Sequence, residues 1–110
     1  MVLVQIDTRV IKDWKSFHDT FSETFGFPDY YSRNMNAWID CMTYLNDPQV
    51  VDTVVKAKAG EIVVLQLDHV KDFRERCSEL YDAIIECSAF VNWRQIEVGK
   101  DPVLALSFYE

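Results

Sequence analysis

The residues best suited to chemistry lie between Tyr30 and Tyr44. Asn36, Ile39, Asp40 and Thr43 recur at intervals of three and four, so on a helix they share one face. That face offers an amide, a carboxylate, a hydroxyl and an outward isoleucine, with Tyr30 and Arg33 just ahead of it and Tyr44 just after. A carboxylate held rigidly beside an aromatic ring and other polar groups is equipped to capture cations through charge-assisted hydrogen bonds. Catalysis fits less well. Cys41, His18 and Asp40 could be written as nucleophile, base and orienting acid, but Asp40 and Cys41 are neighbours and point about 100° apart on a helix. No GxSxG, HExxH or CxxC occurs, and Gly26, Gly60 and Gly99 stand too far apart to form a phosphate-binding loop. The expectation is a binding protein, with no enzyme activity and no cofactor or metal.

Bulk properties narrow the partner. The chain has 110 residues and a formal net charge of −7. That length fits one domain over 1–110 with one real core. The acidic balance serves solubility, disfavours nucleic acid and favours a basic partner drawn in by long-range attraction. Cys41, Cys77 and Cys87 are odd in number and lack metal-ligand spacing, so they read as reduced thiols, Cys41 and Cys77 buried. The apolar start Met1–Val4 lacks a basic leader and is interrupted by Asp7 and Arg9, and no apolar run is long enough for a bilayer. A cytoplasmic location away from membranes is expected.

The elements that must position the face can be read in order. Met1 to Ile6 reads as a short buried strand. Asp13 is a helix N-cap ahead of the stripe Trp14, Phe17, Phe21 and Phe25, and Gly26 stands where that helix ends. His18 beside the stripe reads as a packed side chain rather than a ligand. Asn34 caps the next helix, whose apolar face is Met35, Trp38, Met42 and Leu45. From Asn46 to Gly60 two readings stand. Asp47-Pro48 opens a short helix lined by Val50, Val51, Val54 and Val55, or the stretch is extended. Ile62 to Leu67 reads as a strand buried on both faces. Asp68 then caps one long helix bearing Val70, Phe73, Cys77, Leu80, Tyr81, Ile84 and Cys87. Asn92 to Val98 reads as irregular or as a short edge strand, and Val103 to Tyr109 as the last strand. Strands separated by helices require right-handed crossovers and a small parallel sheet, an α/β fold.

The run Pro28, Tyr30-Tyr31, Asn34, Ala37, Asp40-Cys41 and Thr43 resembles the barstar family of intracellular ribonuclease inhibitors. The resemblance implies a three-stranded parallel sheet packed with about four helices. It also implies that the segment 28–45 plugs the active site of a basic, extracellular or toxin-type ribonuclease. Asp40 matches the position that stands in for a substrate phosphate, and Tyr30 and Thr43 match neighbouring contact positions. Tyr31 supports Tyr30, while Tyr44 is open between surface and core. Relative to the founding member, Asn36 replaces an acid, Arg33 reverses a charge, and Trp38-Ile39 moves an indole inward. The 46–60 stretch is an insertion that could enlarge or cover the surface, or serve as a plain loop. A monomeric inhibitor is expected; the alternative is a non-inhibitory regulatory module that binds a non-nuclease partner, or itself, through an exposed Ile39.

Overall fold

The computed structural model describes residues 1–50 and 52–110. Three strands, β1 (Val2–Asp7), β2 (Val63–Asp68) and β3 (Leu104–Tyr109), form one parallel sheet in the order β1-β2-β3. Val2 pairs with Val63 and Val63 with Leu104, so the three strands run in step. The helices are α1 (Trp14–Phe25), α2 (Met35–Thr43), α3 (Val70–Arg76) and α4 (Ser78–Glu97), and a 3-10 turn at Thr8–Val10 leaves β1. The expected α/β sheet with about four helices is what the structure shows.

Both crossovers advance the same way across the sheet, and right-handed connections then put every helix on one side. Burial follows. Val4, Ile6, Val63, Leu65 and Leu67 lie in the core, whereas Leu3 and Gln5 are exposed and Val64 and Gln66 half-buried. The expectation that β2 is covered on both faces is therefore corrected, because its second face is only half-buried and no second helical layer covers it among the described residues.

Two helix limits are as expected. The Asp13 carboxylate accepts from Ser16 N at 2.8 Å and Ser16 Oγ accepts from Asp13 N at 3.0 Å, a reciprocal cap. Gly26 ends α1 at φ 67, the left-handed conformation that glycine adopts without steric cost. A Cβ on Gly26 would also collide with the side chain of Val54. Gly26→Ala should therefore lower stability by about 1–3 kcal/mol, through left-handed strain and overpacking. Urea denaturation checks this, and an unchanged midpoint would contradict it.

Three expectations on the second half are corrected. The long helix is two, parted at Cys77 with φ −133 and ψ 54. Arg76 at that joint donates to the carbonyls of Ile11 and Thr8 at 3.0 and 3.2 Å, tying the end of α3 to the turn after β1. The apolar period survives the break because Val70, Phe73, Leu80 and Ile84 all remain buried. Asp68 is not the cap. His69, at φ 58, precedes α3, and the Asp68 carboxylate instead accepts from Gln66 Nε2 at 2.7 Å. Asn92 to Glu97 is helical, with Val91 and Gln95 inward and Phe90, Trp93 and Ile96 outward. Outward aromatic and β-branched residues are what made this turn resemble a strand.

The described part of 46–60 contains turns and bends and no helix or strand; Val51 lies outside the described residues. The stretch is nonetheless anchored. Val54 and Val55 donate to the carbonyl of Phe25 at 2.8 and 3.1 Å, and Ala57 donates to that of Leu45 at 2.9 Å.

Candidate partner-binding face

Helix α2 is set by its cap and its anchors. Asn34 Oδ1 accepts from Ala37 N at 2.8 Å, and Trp38, Met42 and Leu45 are fully buried. Trp38 meets Phe21 edge-on at 5.6 Å between ring centroids, and its indole N–H has no partner among the described residues. At the other end Thr43 Oγ1 donates to the Ile39 carbonyl at 2.6 Å, and Gln95 Nε2 donates to the Thr43 carbonyl. The Thr43 carbonyl, one of those left over by the helix ending, is thereby satisfied. α2 is a short rod fixed at both ends.

The outward stripe is narrower than the spacing suggested. Asn36 and Asp40 are exposed, Ile39 is half-buried against the core, and Thr43 is 5% exposed. Thr43 thus belongs to the packing and is not an outward hydroxyl: α4 lies across that end of the helix. Ile39 likewise loses the exposure on which the self-association alternative relied. Arg33 has a positive φ of 57, and its guanidinium donates to Asp19 at 2.6 Å and to the Lys15 carbonyl at 3.1 Å. Its charge is turned back toward α1.

Around Asp40 a groove of about 390 Å³ opens between the 28–32 loop and α2. Tyr30, Tyr44, Asp40 and Asp52 stand on it, with Ala37 and Cys41 below. Tyr44, undecided from sequence, is 37% exposed and reaches the surface. Tyr30 is 74% exposed, yet its hydroxyl donates to Asp52 at 2.7 Å. Asp52 was not singled out from sequence. The only signal was its place in the insertion directly after the recognition helix, and nothing in the local pattern marks it. Asp40 accepts from Arg94 Nη1 at 2.9 Å, a second contact that sequence spacing cannot reveal. Two carboxylates and two phenol rings line this one groove, a lining whose chemistry suits cationic groups.

The floor of the groove is chemically quiet. Burial, and then the charges of Asp52 and Asp40, push the Cys41 thiol up to about 11, so it stays protonated at neutral pH. His18 Nδ1 is 2.6 Å from the Tyr31 hydroxyl, and both side chains are buried. Tyr31 is thus a packed residue, as expected, set against His18 and Phe27. Burial and then the Arg33 charge hold the His18 pKa below 6.5, with Asp19 opposing. The unfolded chain therefore takes up this proton near pH 6.5 and the folded chain only at lower pH. Stability from this group is complete above about 6.5 and falls as pH drops below it. Urea midpoints should fall on acidification from about pH 7 to about pH 5, and fall less in His18→Gln. Equal slopes in the two proteins would reject this.

Fold and site together define a small α/β module that presents an acidic, aromatic groove. The chain matches the family model described as Barstar (barnase inhibitor) over residues 1–103. It is 42% identical over 90 residues to a Bacillus subtilis (strain 168) protein named "Putative ribonuclease inhibitor YrdF", covering 74% of this chain and 94% of that one. The chain belongs to the barstar family, whose members are ribonuclease inhibitors rather than enzymes. Among the described residues, no helix is long and apolar enough to cross a membrane.

Proposed function

We propose that this protein is an intracellular inhibitor of a basic ribonuclease, of the immunity or antitoxin type, and that it blocks the enzyme's active site with the 28–45 loop and helix. The observation that carries this reading is the Asp40 carboxylate, 66% exposed on a helix pinned at both ends, beside Tyr30, Tyr44 and Asp52. A ribonuclease holds a polyanion, so its cleft is lined with cations. Asp40 occupies the place of a substrate phosphate and gains hydrogen bonds from several of those cations at once. Tyr30 and Tyr44 contribute flat contact area with little entropy to lose. Asp52 extends the acidic surface, and the net charge of −7 speeds encounter with a basic enzyme. Asn36, in place of an acid, narrows the range of enzymes bound tightly.

The test is a ribonuclease protection assay over a panel of small basic ribonucleases, comparing the unaltered protein with Asp40→Ala. Inhibition lost in the variant supports the reading. Inhibition indifferent to Asp40 rejects the mechanism, and no inhibition across the panel rejects the function.

A further inference from the structure

The carboxylate that faces the partner already has a cation. Arg94 Nη1 lies 2.9 Å from Asp40 Oδ1, and the Arg94 side chain is 29% exposed against 66% for Asp40. The guanidinium is brought there by packing. Its neighbour Gln95 is buried and bonded to the Thr43 carbonyl, so α4 presents Arg94 to α2 at a fixed height. The second carboxylate oxygen has no hydrogen-bond partner among the described residues. Asp40 is therefore half-neutralised and half-open in the free protein.

We propose that Arg94 is a built-in rival for Asp40 that sets which basic proteins the face accepts. The inference rests on the proposed binding role of Asp40. A single lysine or arginine on an unrelated protein gains little there, because it repeats a contact that Arg94 already makes and meets the repulsion of that guanidinium. A cleft holding several cations contacts the open oxygen, displaces or shares the other, and outweighs one exposed ion pair. The pair is weak enough to open, and it penalises the wrong partner more than the right one.

The experiment measures association and dissociation rates of the unaltered protein, Arg94→Gln and Arg94→Lys at several salt concentrations. The ligands are a ribonuclease from the inhibited panel and a basic protein without ribonuclease activity. Arg94→Gln should bind the ribonuclease roughly five- to tenfold tighter, mostly through faster association that fades with salt. It should gain proportionally more toward the second protein, while Arg94→Lys should stay near the unaltered value. In an Asp40→Ala background the gain should vanish. Unchanged or weaker ribonuclease binding by Arg94→Gln overturns this inference alone, as does a gain that persists without Asp40. If the unaltered protein binds no ribonuclease, the proposed function falls, and this inference with it.

Discussion

Replacing Asp40 by alanine should weaken binding to an inhibited ribonuclease by about two to four orders of magnitude while leaving the fold intact. The two halves of this expectation have different causes. In the complex the carboxylate would be desolvated among several cations, and removing one partner of such a cluster costs about 3–5 kcal/mol. Part of that cost is the penalty of leaving the enzyme's cations buried and unpaired. In the free protein the same carboxylate is mostly exposed and paired only with Arg94. Exposed pairs of that kind contribute about 0–1 kcal/mol to stability. Asp40→Asn keeps an acceptor but no charge and should fall between. Inhibition constants beside urea midpoints separate the two halves; an Asp40→Ala variant that inhibits within a factor of about three of the unaltered protein would rule out the phosphate-mimic role.

The sequence carried the elements more faithfully than their exposure. Caps were legible because they depend on one side chain and its own nearby backbone, as Asn34 with Ala37 and Asp13 with Ser16 show. Apolar stripes were legible because burial of Phe17, Phe21, Phe25 and Trp38 repeats with the helical turn. What pattern could not supply was the packing of one element on another. Thr43 sits at outward spacing on α2, yet α4 covers it, and only the α2–α4 contact decides that. The Cys77 break was invisible for a related reason, since Arg76 reaches carbonyls some 65 and 68 positions away.

The candidate site divides the same way. Tyr30 and Asp40 were found from local spacing and family resemblance. Asp52 and Arg94 were not, because each meets the site across a long sequence separation, 22 residues to Tyr30 and 54 to Asp40. Both are charged: Arg94 pairs with Asp40, and Asp52 adds a second carboxylate to the same groove. The electrostatics of the face are therefore tertiary, although its geometry is largely that of one capped helix.

That helix depends on Trp38, and Trp38→Ala should be the most damaging single change to stability. The indole is fully buried against Phe21 and lies one turn from Met42, so truncation leaves a void walled by large side chains. Removing a buried tryptophan costs about 3–5 kcal/mol. Proteins of this size have only about 5–15 kcal/mol in total, so the urea midpoint should fall by a large fraction with the slope unchanged. Trp38→Phe should cost much less. It keeps most of the ring volume, and it removes an indole N–H that has no partner among the described residues. Binding supplies the second readout. α2 has nine residues, too few to persist alone, so whatever loosens its anchor loosens the carboxylate it carries. In the folded fraction of Trp38→Ala the ribonuclease should dissociate faster, whereas Trp38→Phe should inhibit nearly as well as the unaltered protein. A Trp38→Ala protein of undiminished stability would mean that α2 is held by its cap and by α4 alone, and the anchor assigned to the indole would be wrong.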